Sequence, residues 1–456
     1  MIMKNKTFHL VSLGCAKNSV DSESMAQLLM RAGYRRVDRP APAELLIVNT
    51  CGFIGPARDE SLQALGELAA RKRPGQKLIA AGCLTQRYGI EIARQVAGID
   101  GIIGARRWMD IVEMAARLRD GQPPGPVYQL LGDPPAGEQD GGVRRAAING
   151  GSAYLKIADG CRHPCAFCAI PLIKGPAVSR PLQAVLDEAA WLDEQGVQEI
   201  ILIAQDTTDY GYDLPEMADG RRVELAHLLR ELVAAAPGVP WIRVLYAYPG
   251  CVTDELIETM ASHPRILPYL DMPLQHAHPA TLRRMRRPAN IEWVYRTLEK
   301  IRLAMPELAL RTTFIVGYPG ETEEEFAELL EFIREIRFDR VGAFQFSFEA
   351  GTPSEPLGDP VPPEVKQERY ERLMALQQGI SLEKNQAWVG RKLDVLIEGC
   401  GDGLSLGRSF RDAPEIDGLV IIEEELPVGS LAPVRITGAM TYDLSGRLEA
   451  GRVEIS

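Results

Sequence analysis

Short apolar runs alternate with helical periods along most of this chain. FHLVSLGC, ELLIVNTC and KLIAAGC, ending at Cys15, Cys51 and Cys83, each read as a buried strand. Apolar residues at helical spacing follow each one: Met25, Leu28, Leu29 and Ala32 within 21–34, then Leu62, Leu65 and Leu68, then Ile90, Ala93 and Ala97. The strand ends lie 36 and 32 residues apart, the length of a βαβ unit. Residues 6–120 are therefore expected to form an N-terminal parallel α/β domain.

The alternation resumes in longer units beyond a punctuated stretch. Half of the residues in 121–142 are glycine or proline, so 121–146 reads as a linker. Six strand patterns follow in 147–384: AYLKIADG, EIILIAQD, WIRVLYAYP, YLDMPLQH, LRTTFIVGYPG and RVGAFQFSFEAG. Amphipathic runs separate them, and one opens with a Thr322/Glu325 capping box. Six βα units are too few for a closed eight-fold barrel, so an open (β/α)6 partial TIM barrel is expected, closed by a helix over about 364–388. From 387 to 456 the period shortens to strands punctuated by Gly, Pro and Asp, as in a small all-β barrel of the OB type.

Composition narrows the class. A chain of 456 residues suits about three domains. The net charge of −11 argues against whole-surface attraction to nucleic acid. The N-terminus lacks a signal-peptide pattern, and no apolar run approaches a membrane span. The chain reads as cytoplasmic with no membrane partner, where thiols stay reduced and clustered cysteines serve metals or catalysis.

Three of the eight cysteines, Cys161, Cys165 and Cys168, fall within CRHPCAFC. Gly160 and Pro164 oppose a helix there, so a loop after the first barrel strand is expected. Such a loop can present three thiolates to a 4Fe-4S cube and leave the fourth iron open to an exogenous chelate. A Cys3His zinc site using His163 is the alternative, although His163 lies only two residues from Cys161 and Cys165. Cys15, Cys51 and Cys83 each close a strand before a helix. In a parallel α/β sheet ligands gather at the carboxyl ends of strands, so these three thiols are expected to converge on one rim, again one ligand short.

Other features are weaker. Gln205, Asp206 and Gln275 end barrel strands, at the rim where ligands bind. GYPGET at 317–322 reads as a tight βα turn, and LRRMRR at 282–287 as a solvated charged face. Cys251 and Cys400 read as ordinary thiols. No acid–base or nucleophilic triad emerges among the six histidines, so no catalytic side chain is expected beyond the cluster ligands.

CRHPCAFC is similar to the CxxxCxxC signature of radical S-adenosylmethionine enzymes, including the aromatic Phe167 before the last cysteine. SLGCAKNSVDSE, VNTCGFIGPARDES and AGCLTQRYG resemble the N-terminal domain of the methylthiotransferases, and the tail resembles their TRAM domain. The resemblance implies two 4Fe-4S clusters. Cys161, Cys165 and Cys168 would hold the one that binds S-adenosylmethionine and generates a 5′-deoxyadenosyl radical. Cys15, Cys51 and Cys83 would hold an auxiliary one that carries the sulfur, and a second S-adenosylmethionine would supply the methyl group. An electron donor such as flavodoxin or ferredoxin and a sulfur donor are implied as partners.

The family divides between an adenosine of transfer RNA and an aspartate of the twelfth small-subunit ribosomal protein, modified at its β-carbon. From Ala387 onward seven Lys and Arg face twelve Asp and Glu, a balance of −5. An RNA-gripping module would carry a basic face, whereas an acidic one suits a basic ribosomal protein, free or on the ribosome. SLGCAKNSVDSE also resembles the ribosomal-protein branch, where the transfer-RNA enzymes tend to read GCQMN or GCKVN. Modification of transfer RNA, or a non-catalytic ribosome-associated adaptor stiffened by metal, are the alternatives.

Overall fold

The computed structural model describes residues 6–119, 128–130 and 142–449. Its first layer is a six-stranded parallel sheet in the order Arg35–Arg36, Thr7–Ser12, Leu45–Thr50, Lys77–Gly82, Gly101–Gly104, Tyr128–Leu130. Leu45–Thr50 is buried along its whole length, as a central parallel strand covered on both faces must be. Its two neighbours are the other strands that end in cysteine. The thiol-bearing ends therefore sit side by side.

Three local departures from the sequence pattern have physical causes. The first helix spans Ala16–Arg31, starting ahead of the apolar period because Cys15 occupies its N-cap, with the Asn18 amide donating to the Cys15 carbonyl at 2.8 Å. Its early turns bury polar Asn18, Asp21, Ser22 and Ser24, which an apolar template cannot register. The third helical run splits into Cys83–Tyr88 and Ile90–Gln95 at Gly89, leaving Ala97 beyond its end. Within the expected linker, Tyr128–Leu130 pairs with the Gly101–Gly104 strand as the sheet edge, a position proline-rich sequence tolerates because one side of the ladder is free. Residues 120–127 and 131–141 lie outside the described residues.

The barrel consists of Ser152–Lys156, Glu199–Ile203, Trp241–Val244, Tyr269–Asp271, Ala309–Val316 and Arg340–Gln345. These pair in parallel as two groups of three that meet at an Ile242–Ile266 bridge. An antiparallel strand, Ala146–Asn149, covers the first edge, and the helix Pro363–Gln386 follows the last. The Thr322/Glu325 capping box is present. Residues Lys392–Leu448 close a five-stranded barrel.

Two seals complete the core. At the amino-terminal end of the barrel the tail inserts Arg408, which pairs with Glu199 at 2.6 Å; Glu199 also binds Arg243 at 2.6 Å. Arg340 pairs with Asp412 at 2.6 Å beside them. At the opposite end Ala16 and Val20 of the first helix join the apolar interior that also contains Ile201, Ile203 and Tyr269. The N-terminal sheet thus points its cysteine rim at the carboxyl-end rim of the barrel.

Glu199 is wholly buried. Burial disfavours its ionised form, but Arg243 and Arg408 outweigh that and lower its pKa from 4.5 to about 2. Its contribution is therefore fully present above about pH 4.5 and is lost as pH falls toward 2. Glu199→Gln leaves the buried Arg243 guanidinium without its counter-charge and Arg408 with Glu398 alone, and thermal unfolding at pH 7 should show a loss of about 3–5 kcal/mol. The gap from wild type should narrow as the buffer is acidified below pH 4.5.

Candidate metal centres and the cleft between them

Cys161, Cys165 and Cys168 lie in a loop without regular structure. Gly160 opens it at φ +75°, and a Cβ there would stand 1.8 Å from the Pro176 carbonyl oxygen, so only glycine permits this crossing. The loop is pinned by the Cys161 amide to Gly175 O (3.2 Å) and the Ala166 amide to Met285 O (2.8 Å). Arg287 Nη1 donates to Cys165 Sγ at 3.5 Å, and the Tyr248 hydroxyl lies 3.9 Å from the same sulfur. Burial pushes the Cys161 thiol up to about 11 and the Cys168 thiol up to about 12, with Cys165 adding to both shifts.

Cys15, Cys51 and Cys83 converge at the rim of the N-terminal sheet. Gly14, at φ +89°, makes the approach: a Cβ there would lie 2.7 Å from Cys51 Cβ. Burial raises the Cys51 and Cys83 thiols, Cys83 to about 12, and both experience Cys15 electrostatically. Cys83 Sγ lies 3.6 Å from Asn18 Oδ1. The two trios are neighbours, because Cys83 packs in one apolar cluster with Ala169 and Ile173, directly after Cys168. Arg106 Nε donates to Ile173 O at 3.0 Å, and Arg87 pairs with Glu349 at 2.5 Å across the same seam.

The donor sets fit iron–sulfur clusters. The first is one buried and two half-buried thiols, and the second two buried thiols with Cys15 exposed at the rim, groups that a bound cation would deprotonate despite the burial. The zinc alternative needs His163, but its Nε2 is 2.6 Å from Asp206 Oδ2 and its ring stacks on Tyr248 with centroids 3.6 Å apart. His163, Asp206 and Cys251 form a group of their own, their donor atoms within 4.8 Å of one another. Cys251 thus lies beside the first trio rather than apart, whereas Cys400 is exposed on the tail. Gln205 Oε1 is buried at the rim without a hydrogen-bond partner. Gln275 follows its strand at φ +73°.

Buried charge binds the rims together. Asp21 of the first helix meets Lys156 and Lys174, both at 2.7 Å, and Arg145. Asp159 shares Lys156 at 2.7 Å. None of these was singled out from the sequence, where lone charges carry no pairing signal. The solvated-face reading of LRRMRR holds for Arg283 and Arg286, which are exposed. It fails for Arg284, which pairs with Glu325, and for Arg287, which is buried against Cys165. A helix that ends within the run turns alternate arginines inward. GYPGET is a turn whose Glu321 carboxylate accepts from the Gly317 and Tyr318 amides.

An open six-unit barrel with three cysteines in its first rim loop, joined to a closed β tail, defines a radical S-adenosylmethionine enzyme with a TRAM domain. Residues 155–333 match the radical SAM superfamily, 389–448 the TRAM domain, and 7–104 an uncharacterized protein family, UPF0004. The chain is 50% identical over 455 residues to the ribosomal protein uS12 methylthiotransferase RimO of Chloroflexus aurantiacus, covering 96% of this chain and 99% of that one. It is 46% identical to the RimO of a Roseiflexus species, covering 97% of each. A solved radical S-adenosylmethionine methyltransferase, TsrM from Kitasatospora setae, shares the fold at a TM-score of 0.57 and 15% identity, over 88% of this chain and 78% of that one. The chain belongs to the RimO family of methylthiotransferases.

Proposed function

We propose that this transferase methylthiolates the β-carbon of an aspartate in ribosomal protein uS12, with Cys161, Cys165 and Cys168 holding the cluster that binds S-adenosylmethionine and Cys15, Cys51 and Cys83 holding the auxiliary one. The observation that carries this reading is the apposition of two three-thiol sets across one seam, Cys83 packing against Ala169 and Ile173. When bound, the clusters and S-adenosylmethionine supply the one-electron and group-transfer chemistry. The chain's own residues hold and shield it. Arg287 and Tyr248 cover Cys165, Gln205 Oε1 offers a buried acceptor to a ligand's donor, and the Asp21 network closes the rim to water.

The tail supports a basic protein partner. Arg408, Arg411 and Asp412 are buried, as is the Asp417 side chain. Two charges of each sign are thereby withdrawn, so the outward balance stays acidic. That leaves little to grip a phosphate backbone. Electron and sulfur donors complete the turnover.

Anaerobically reconstituted protein, holding about eight irons, should add one methylthio group to purified uS12 in the presence of reductant and S-adenosylmethionine. Mass spectrometry of the tryptic peptides should place it on an aspartate. Modification of transfer RNA instead would overturn the assignment, and failure of the reduced protein to cleave S-adenosylmethionine would overturn the chemistry.

A further inference from the structure

Lys17 stands two residues after Cys15, half-buried in the seam between the rims. Its Nζ lies 3.1 Å from the ring centroid of Tyr246, just beyond the third barrel strand. The charged and titratable groups around it are Cys15 and Cys83 from the N-terminal rim and Asp271 and Asp159 from the barrel. Both carboxylates are already matched: Asp271 pairs with Arg311 at 2.8 Å, and Asp159 with Lys156 at 2.7 Å. Among the described residues no carboxylate reaches Lys17 within salt-bridge distance, so an aromatic face is its partner.

The other cations at this junction are committed. Lys156, Lys174 and Arg145 serve Asp21 and Asp159. Arg311 serves Asp271 and Asp417, and Arg287 serves Cys165 and the Pro273 carbonyl. Tyr246 is held for this task at a cost. Its φ is +66°, a left-handed conformation that a non-glycine residue adopts only under constraint. The constraint is Thr207, whose amide donates to Tyr246 O at 3.0 Å and whose hydroxyl donates to Leu245 O at 2.7 Å.

A cation on a π face keeps its N–H donors free for an incoming anion. The substrate brings one. In an aspartate the carboxylate is bonded directly to the β-carbon, so a β-carbon placed between the trios carries its carboxylate into a seam lined by thiols and two acidic side chains. Desolvating that carboxylate there is costly unless a cation meets it.

We propose that Lys17, seated on Tyr246, binds the carboxylate of the substrate aspartate and so selects aspartate over an uncharged side chain. This rests on the reading of uS12 as substrate.

The test uses the reconstituted full chain with intact uS12 and with a uS12 variant carrying Asn at the modified position. Wild-type enzyme should bind the Asp form more tightly than the Asn form by about tenfold to a hundredfold, the worth of a hydrogen bond to a charged group. Lys17→Met should lose that preference, binding the Asn form at the wild-type level and the Asp form at that level or more weakly. It should keep its irons and its rate of S-adenosylmethionine cleavage. Lys17→Arg should restore the preference in part, which loss of structure alone would not predict. Lys17→Gln provides the same comparison if the Met variant loses iron. An iron-replete Lys17→Met or Lys17→Gln enzyme that still prefers Asp overturns this proposal alone. A wild-type enzyme that does not modify uS12 at all overturns the substrate reading and this proposal with it.

Discussion

Cys165→Ala is expected to abolish S-adenosylmethionine cleavage and to remove about four of some eight irons. Cys165 is buried and is the cysteine of its trio that Arg287 and Tyr248 enclose, so water has little access to replace the lost thiolate. Cys51→Ala should remove a similar share of iron from the other site and leave cleavage in place, while methylthiolation of uS12 falls below detection. Iron and sulfide analysis together with chromatography of 5′-deoxyadenosine separates the two outcomes. If Cys51→Ala also ended cleavage, the trios would not be independent centres.

Asp21→Ala should be the most damaging change away from the cysteines. It leaves Lys156, Lys174 and Arg145 buried around Asp159 alone. Breaking a buried pair from one side costs about 3–5 kcal/mol, and here one carboxylate serves three cations. Burial opposes ionisation of Asp21, but Lys156, Lys174 and Arg145 outweigh it and hold its carboxyl well below the usual carboxylate range. Its contribution is thus complete above the ordinary value of 3.8 and is lost only in stronger acid. Calorimetry at neutral pH should show a lowered unfolding temperature for Asp21→Ala. An unchanged value would mean the network contributes nothing net. The same variant should impair methylthiolation more than S-adenosylmethionine cleavage, because Asp21 ties the helix behind Cys15 to the barrel rim.

Much of the site was legible one strand at a time. Each of Cys15, Cys51 and Cys83 closes an apolar run, and the rule that parallel strands present ligands at their carboxyl ends is enough to gather them. CRHPCAFC identifies itself by spacing within eight residues, and Gly160 with Pro164 excludes a helix there. His163 was ambiguous for a physical reason. A histidine inside a cysteine motif is a donor by type, and only the position of Asp206, 43 residues later, shows that the ring is engaged elsewhere. The arginines of LRRMRR show the same limit, since a charge run looks identical whether its side chains meet water, Glu325 or a cysteine sulfur.

By itself the sequence determined the order of the three architectures, the strand ends that carry thiols and the acidic balance of the tail, because period, spacing and composition are properties of neighbours along the chain. Only the tertiary structure decided that the two rims face each other, that Asp21 reaches Lys156 and Lys174, that Arg408 plugs the barrel end at Glu199, and that Lys17 rests on Tyr246. Those partners lie more than a hundred residues apart. Burial of the first helix against one end of the barrel and of the tail against the other brings them together, and no local pattern records which buried charge will find which.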